Sequence, residues 1–429
     1  MTNFEDRTAN WLSVDQATKR ILDRAITLDV ESVQIDSALG RILARNIYAP
    51  STLPPLANSA MDGYAVRSSD LGVASETDPF VFDVVGVVHA GSFFEATVGK
   101  NEAVRIMTGG AVPEGTDTVV RVEDTDRERT EPGKIAIFSS RDRGRNVRPS
   151  GEDWTEGTVV LKMGQSISPR QIAVLAAARA SSVPVFKKPT VAVLSSGNEL
   201  EALSAPSLNP RKIPESNSHL ICASVKSAGG IPDDLGIAKD DLHDIGAHIA
   251  KGREADILIT IGGASMGEGD LFKDCLEQAG FTLDFWRAKM RPGSPVSFGK
   301  LTRENRNDQI VFSLPGNPSS AMVTFEILVR PFLLALAGSS QIYRPIITAY
   351  SEIALSSPKN LTEFPRVKIE KHDGHLTFVP AGAQGSGLVE SLGVANALAI
   401  IPEGIDKVSK GATLSLILLH DSPGFYDWS

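Results

Sequence analysis

The chain has 429 residues, which is too long for a single hydrophobic core and predicts roughly two to four domains. Its composition, 42% hydrophobic and 22% charged, is typical of a globular protein and excludes a disordered or fibrous one. The net charge of −9 argues against non-specific binding of nucleic acid, which needs a basic surface. A local cluster of arginines and lysines can still bind a small anion.

The cysteines and the apolar segments argue against a zinc site, secretion and membrane insertion. Cys222 and Cys275 lie far apart, without a CxxC pair or a histidine cluster, so we expect buried free thiols. The N-terminal segment "MTNFEDRTANW" is polar and acidic, unlike a signal peptide. The longest apolar stretch, 327–338, contains Arg330 and Pro331 and is too short to span a bilayer. We therefore expect a soluble, cytoplasmic protein.

The first part of the chain predicts two helices flanking a β-rich module. In "SVDQATKRILDRAI", Ser13 and Gln16 form a capping-box pair at the start of a helix. Short β-rich runs separated by turn residues follow between about 80 and 138. The arginine-rich segment 139–151 is then expected to be an exposed connector or a ligand-facing edge. The second helix is predicted in 168–180, where Ser168 would be the cap.

From about residue 184, β-rich runs and helical patterns alternate, which predicts an α/β domain with a mostly parallel sheet and helices on both faces. In such sheets, ligands bind beyond the carboxyl ends of the strands. Three strand ends here carry polar, glycine-rich loops: "SSGNEL", "TIGGASMGEGDLF" and "SLPGNPSSAM". From about 340 onward the helical signal disappears, and the remaining segments are predicted to be strands of a small all-β domain.

Carboxylates at these strand ends allow either a structural or a functional interpretation. Glu199 and Asp270 can each favour a helix N-terminus, and Asp240 also resembles a helix cap. All three nevertheless fall at one edge of the predicted sheet. Convergent oxygen donors there suggest a hard cation, and Mg²⁺ is more plausible than zinc.

Other loops are expected to approach an anion. Gly262 and Gly263 allow the backbone to come close to a phosphate, although this loop matches neither the Walker pattern nor GxGxxG. The "LPGNPSS" loop offers N–H groups and hydroxyls at a helix start, either to an anion or only to cap the helix. Nearby, Arg287, Lys289 and Arg291 lie in a strand-like run, where burying basic side chains favours an anionic ligand.

Several motifs, in order along the chain, strongly resemble those of the molybdopterin molybdenumtransferases, the MoeA and gephyrin E-domain family. They are "NSAMDGYAV", "RIMTGGAVPEG", "GEDW", "SSGNEL", "GGASMGEGD", "RPGSP" and "LPGNPSSA". The resemblance covers nearly the whole chain and implies an α/β plus β multidomain fold, whose α/β domain is similar to the MoaB/Mog adenylyltransferases. The implied parts are a helical domain at 1–50 and 147–183, an inserted β domain at 51–146, the molybdopterin-binding α/β domain at 184–338 and a C-terminal β-barrel-like domain at 339–429.

The resemblance also implies a reaction: adenylylated molybdopterin and molybdate give molybdenum cofactor and AMP, with Mg²⁺ as the cofactor. A homodimer with a composite site is implied, and a molybdopterin adenylyltransferase would be a partner. The residues that match the family's functional acids and threonine are Asp62, Thr108, Asp153, Glu199, Asp240 and Asp270, of which Asp240 and Asp270 are the expected Mg²⁺ ligands. The residues that match its substrate and molybdate site are Gly262, Gly263, Ser265, Arg291, Ser294, Pro315, Asn317, Ser320, Arg366 and Ser386.

Asp62 keeps an alternative role, the closing of an Asx turn in its own segment. The chain also departs from the family pattern at four positions. Many members have "KPGKP" where this chain has "RPGSP", so that Ser294 replaces a lysine, and Arg287 or Lys289 would then compensate for the lost charge. The other departures are Asn198, Ser218 and Leu271. These changes keep a second hypothesis open, that of a diverged paralogue or scaffold that binds molybdopterin without turnover.

Overall fold

The computed structural model describes residues 11–204, 209–262, 271–304, 306–372 and 374–419. The helices in these ranges are α1 (Val14–Leu22), α2 (Pro169–Ala177), α3 (Asn217–Ser227), α4 (Leu242–Lys251), α5 (Leu271–Gln278), α6 (Pro318–Thr324), α7 (Arg330–Leu336) and α8 (Glu390–Val394). Two compact units are present: one comprises 1–45, 163–169 and 182–429, and the other comprises 46–162 and 170–181. The four-part division made from the sequence stays a prediction.

The strands are short in the first half of the chain and longer in the second. They are β1 (Val30–Gln34), β2 (Ile47–Tyr48), β3 (Asn58–Ser59), β4 (Gly63–Val66), β5 (Phe80–Val88), β6 (Glu102–Ile106), β7 (Thr118–Arg121), β8 (Lys134–Ile137), β9 (Val147–Arg148), β10 (Val159–Leu161), β11 (Ser182–Phe186), β12 (Thr190–Ser196), β13 (Leu200–Glu201), β14 (Ile213–Pro214), β15 (Ile231–Ala238), β16 (Ile257–Ile261), β17 (Phe281–Trp286), β18 (Met290–Arg291), β19 (Ser297–Leu301), β20 (Gln309–Leu314), β21 (Ile346–Ser351), β22 (Leu355–Ser356), β23 (Thr362–Glu363), β24 (Arg366–His372), β25 (His375–Pro380), β26 (Ala397–Ile400), β27 (Lys407–Val408) and β28 (Thr413–Leu418).

The larger unit contains the predicted α/β sheet, with strand order β15-β12-β16-β20-β19-β17. The first four strands pair in parallel, whereas β19 pairs antiparallel with both of its neighbours, β20 and β17. Alternate residues of β12 enter two separate cores. Val191 and Val193 pack with α3 and the 318–336 helical run, and Ala192 and Leu194 pack with α4 and α5. Helices therefore cover both faces, as the alternating pattern predicts.

The helical run Pro318–Leu336 begins nine residues before the apolar stretch 327–338 and forms the long helix that the segment 317–338 predicts. A π-helical turn, Phe325–Val329, joins α6 to α7 and carries the chain past Pro331 without ending the run. By length and composition this run could cross a membrane, and 78% of its most apolar window is buried within the protein. A single buried run of this kind among the described residues is weak support for a membrane span.

The C-terminal part of the same unit contains a closed barrel, β21-β25-β24-β26-β28. This agrees with the predicted β-barrel-like domain, except that the short helix α8 interrupts it. With five residues, α8 is too short to give a periodic signal, which is why the all-β prediction missed it. The barrel core contains Val367, Ile369 and Phe378.

The smaller unit is built on a five-stranded sheet, β7-β4-β6-β5-β8, which confirms the predicted β module. Its core includes Tyr64, Phe82 and Val120. The start of the larger unit is also as predicted, because Ser13 and Gln16 form the reciprocal capping box of α1. Both cysteines are free thiols. Burial raises the pKa of Cys222 to about 12 and also raises the pKa of Cys275.

Candidate active site

In the smaller unit, Asp62 is held by the "MTG" loop. Thr108 donates both its backbone N–H and its hydroxyl to Oδ1 of Asp62, each at 2.7 Å. These two bonds, the backbone one first, lower the pKa of Asp62. The carboxylate therefore does not close an Asx turn on its own segment, and that alternative is wrong. It remains an ionised, accessible group fixed by a loop 46 positions away in the chain.

The close approach of a neighbouring strand explains why a glycine, Gly63, follows Asp62 in the motif. A Cβ built at this position would lie 2.0 Å from the carbonyl oxygen of Val120, in the neighbouring strand β7. Any side chain would push β4 away from β7 and move Asp62 with it. Asp153, also in this unit, is exposed, and its backbone N–H donates to Leu53 O. Within the described residues no hydrogen bond joins it to Asp62 or Thr108.

In the larger unit, Asp240 organises the loop after β12. Its Oδ1 accepts from Ser196 Oγ and its Oδ2 accepts from Asn198 N, the latter at 2.9 Å. The expectation that Asp240 caps the next helix is wrong, because Asp241 caps α4 by accepting from Asp244 N at 2.9 Å. Freed from capping, Asp240 links the ends of β12 and β15. Glu199 is exposed on the loop that Asp240 holds.

Of the two predicted Mg²⁺ ligands, Asp240 lies in the described part of the chain. Asp270, Gly263 and Ser265 lie outside the described residues. Within the described ranges, no group of three histidine, cysteine, aspartate or glutamate side chains could hold a metal ion. The two hydrogen bonds on Asp240 use two of its roughly four lone-pair sites, so its oxygens can still supply a ligand of the type that Mg²⁺ prefers.

A cavity of about 730 Å³ lies beyond the end of β20, within the larger unit. Seven of the residues predicted for the substrate site line it: Arg291, Ser294, Pro315, Asn317, Ser320, Arg366 and Ser386. They come from four separate stretches of the chain, 291–294, 315–320, 366 and 386. Gly262, also predicted for the substrate site, has φ +96 and directly follows β16. A Cβ built at Gly316, in the loop after β20, would lie 3.6 Å from the Cα of Gly262.

Arg366 is the largest fully buried side chain, with 0% exposure. Its Nε donates to Ser391 Oγ at 2.8 Å, and one terminal nitrogen donates to the carbonyl oxygens of Ala383 and Gly385. No carboxylate of the described residues forms a salt bridge with it, and burial alone lowers its pKa. A buried guanidinium held only by neutral acceptors leaves a positive charge in the cavity wall uncompensated.

Two loops of the cavity wall are joined directly. Asn317 Nδ2 donates to Ser386 Oγ at 3.0 Å, and Ser319 N donates to Ser386 O at 3.1 Å. The turn after Arg291, which also lines the cavity, packs tightly against α6. A Cβ at Gly293, which has φ +103, would lie 2.3 Å from Thr324 Oγ1. The cavity is thus shaped by backbone contacts that the sequence motifs do not reveal individually.

The cations that were expected to compensate for Ser294 are engaged elsewhere. The guanidinium of Arg287 is stacked between Trp11 and Trp286, 4.9 and 4.2 Å from the ring centroids. Lys289 Nζ lies 3.6 Å from a carboxylate oxygen of Glu403. Neither residue lines the described cavity. The hydroxyl of Ser294 is also occupied, because it donates to Met290 O.

Comparison with known proteins covers almost the whole chain. Residues 12–178 match the model of the MoeA N-terminal region (domains I and II), 192–335 match the "Probable molybdopterin binding domain", and 348–419 match the MoeA C-terminal region (domain IV). The chain is 34% identical to the molybdopterin molybdenumtransferase of Bacillus subtilis over 430 residues, 99% of this chain and 98% of that protein. The chain belongs to the molybdopterin molybdenumtransferase (MoeA) family.

Further members of the family support the same assignment. Molybdopterin molybdenumtransferase 2 of Mycobacterium tuberculosis (strain H37Rv) is 34% identical over 391 residues, 90% of this chain and 94% of that protein. The crystal structure of the molybdopterin biosynthesis MoeA protein from Pyrococcus horikoshii OT3 superimposes with a TM-score of 0.80 and 29% identity. That alignment covers 95% of this chain and 100% of the other. The resemblance found in the motifs is therefore confirmed.

Three residues of the site were missed by reasoning from sequence. Glu363 and Gln384 line the cavity, and Ser391 holds Arg366. Gln384 clamps the backbone of Arg366, accepting from its N–H at 2.9 Å and donating to its carbonyl at 3.0 Å. Glu363 directly precedes "FPRV" and Gln384 belongs to the glycine-rich segment "QGSG", so these segments were the available signal for both residues. Ser391 lies outside both segments.

Proposed function

We propose that this protein acts in molybdenum cofactor biosynthesis by inserting molybdate into adenylylated molybdopterin, with release of AMP. The observation that carries the proposal is Arg366, a fully buried guanidinium without an acidic partner among the described residues. Arg366 is one of the residues that line a cavity, together with Arg291, Ser320 and Ser386. Arginine and hydroxyl donors suit a tetrahedral dianion, because charge-assisted hydrogen bonds to an anion are the strong ones.

In this proposal the residues of the cavity bind and orient molybdate. Ser386 is fixed by Asn317, so its hydroxyl hydrogen can point into the cavity. Arg366 is fixed by Ser391 and by two carbonyl groups, so its side chain loses little conformational entropy when a ligand binds. Pre-ordered donors of this kind bind an oxyanion without reorganisation.

The remaining parts of the proposal concern the metal ion, the acids of the reaction site, the assembly of the protein and the source of its substrate. Mg²⁺, held in part by Asp240, would neutralise phosphate charge on the adenylylated substrate. Asp62, Asp153 and Glu199 are proposed as further acids of the reaction site, and the protein as a cytoplasmic homodimer that completes this site. A molybdopterin adenylyltransferase is the class of enzyme that must supply the substrate.

The test is AMP release from adenylylated molybdopterin with Mg²⁺, with molybdate supplied or withheld. We expect AMP release that depends on molybdate in the wild type and is lost in Arg366→Met, a neutral side chain of similar length. The matched control is Arg211→Met, which changes an exposed arginine outside the cavity wall. AMP release that does not depend on molybdate, or that is equal in wild type and Arg366→Met, would contradict the proposal.

One observation favours the second hypothesis, that of a paralogue that binds substrate without turnover. The Ser294 hydroxyl donates to Met290 O, and Arg287 and Lys289 are engaged elsewhere, so the lost lysine has no replacement in the described cavity. Retention of adenylylated molybdopterin with no AMP released, at saturating molybdate, would establish this alternative.

A further inference from the structure

Among the described residues that line the cavity, Glu363 is the one carboxylate, and two arginines line the cavity with it. Strand β23 pairs in parallel with β18, and the register places Glu363 opposite Arg291. Glu363 Oε1 lies 3.5 Å from Arg291 Nε. The Glu363 side chain is only 14% exposed, whereas Arg291 is 59% exposed. A poorly solvated negative charge is thus built into a cavity whose other charged residues are suited to an anion.

We propose that the Glu363 carboxylate competes with the incoming oxyanion for Arg291, and that it thereby weakens the binding of dianions more than that of monoanions. This inference rests on the proposed function, in which an oxyanion occupies the cavity. With Glu363 ionised, the charged side chains that line the cavity within the described ranges carry a net charge of +1, fewer than the two positive charges that neutralise molybdate. Glu363 therefore weakens the binding of a dianion and leaves Arg291 with an internal partner when the cavity is empty.

The side chain of Glu363 is not needed to hold its strand. The backbone N–H of Glu363 donates to Ile401 O at 2.8 Å, and Ile401 N donates back to Glu363 O at 2.9 Å. The separation between Glu363 and Arg291 does not give a hydrogen bond of normal length, so the pair is held loosely. Replacing the carboxylate with the isosteric amide should leave the fold intact and change only the charge.

A purely structural role predicts the opposite result. If Glu363 served to hold Arg291 in its binding position, removing the carboxylate would loosen Arg291 and weaken oxyanion binding. If Glu363 competes with the oxyanion, removing it strengthens binding. The charge of the ligand separates the two further, because electrostatic repulsion is proportional to ligand charge and a dianion gains about twice as much in free energy as a monoanion.

The experiment is isothermal titration of the full-length protein with molybdate and, separately, with perrhenate, a tetrahedral monoanion. We expect Glu363→Gln to bind molybdate about 5- to 20-fold more tightly than wild type and perrhenate only about 2- to 4-fold more tightly. The matched control is Glu403→Gln, which removes a carboxylate paired with Lys289 at 3.6 Å outside this cavity. It should bind both anions as wild type does.

Two further variants keep the test decisive. Glu363→Ala, a second neutral variant, should show the same preference for molybdate, and Glu363→Asp, which keeps the charge, should keep the wild-type ratio of the two affinities. Equal or weaker molybdate binding in both neutral variants, or an equal gain for both anions, overturns the inference about Glu363. The proposed function is unaffected by that result if wild type binds molybdate and Arg366→Met does not. Failure of every variant and of wild type to bind either anion removes the proposed function as well.

Discussion

Thr108 and Asp62 form a two-point clamp in which the N–H and the hydroxyl of one residue both donate to a single carboxylate oxygen of the other, Oδ1, at 2.7 Å. The hydroxyl restricts the rotation of the Thr108 side chain, and the N–H fixes the loop. The clamp keeps Asp62 ionised while leaving its second oxygen, Oδ2, available to a ligand.

Removing the hydroxyl of this clamp should move the pKa of Asp62 only part of the way back. Thr108→Val keeps the backbone N–H, which is the larger cause of the lowered pKa, so we expect a partial rise. A carbon-13 NMR titration of labelled aspartates measures this, with Thr108→Ser as the control that keeps the hydroxyl. A pKa that is unchanged in Thr108→Val would show that the hydroxyl contributes nothing.

The sign of the pH dependence follows from the same clamp. Because the pKa of Asp62 is lower in the folded chain, these bonds stabilise the folded state above the unfolded pKa, about 3.9. That contribution is lost as the pH falls through the folded-state pKa of Asp62. The stability of Thr108→Val should therefore depend less on pH in this acid range, as measured by urea unfolding at a series of pH values.

Ser391 should stabilise the protein through Arg366. Its hydroxyl is 97% buried, at 3% exposure, and accepts from Arg366 Nε at 2.8 Å. Ser391→Ala removes a bond to a charged group and should lower the free energy of unfolding by about 1.5–3 kcal/mol in urea titrations. Ser409→Ala, which changes an exposed serine of the same unit, should stay within about 0.5 kcal/mol of wild type. Equal effects of the two changes would contradict this role.

Gly293 should tolerate no side chain. Gly293→Ala combines a strained φ of +103 with a Cβ 2.3 Å from Thr324 Oγ1, and should cost roughly 2–5 kcal/mol of stability. The matched control is Gly382→Ala, where φ is +88 but nothing lies within 4 Å, so only the backbone strain of about 1–2 kcal/mol applies. Urea unfolding compares the two. A loss no larger than that of the control would show that the turn can move away from α6.

Restoring the lysine of the common family pattern should strengthen anion binding. Ser294 lines the cavity, and a lysine there adds a cation where the structure has only a hydroxyl bonded to Met290 O. We expect Ser294→Lys to bind molybdate about 10- to 150-fold more tightly, the range of one added charge-assisted hydrogen bond. Ser294→Met, of similar length and neutral, should not gain affinity. A gain in both variants would indicate a change in cavity shape and not in charge.

Much of the fold could be predicted because its signals are local. The capping box at Ser13 and Gln16 and the alternation of strands and helices after residue 184 depend on residues close together in the chain, and both are confirmed. Two wrong predictions also concerned local features. α8 has too few residues to show a period, and neighbouring aspartates at 240 and 241 cannot be told apart as caps until the backbone direction is known.

The candidate site could be predicted as a set of motifs but not as an arrangement. The sequence by itself determined the family, the order of the elements and the identity of the residues gathered around the cavity, since motifs record residue types and their order. Only the tertiary structure decided that Arg366 is buried without a carboxylate partner among the described residues, and that Glu363 lies opposite Arg291. It also decided that the guanidinium of Arg287 lies over the rings of two tryptophans. Burial and charge pairing arise between segments far apart in the chain, and they exist only once the chain has folded.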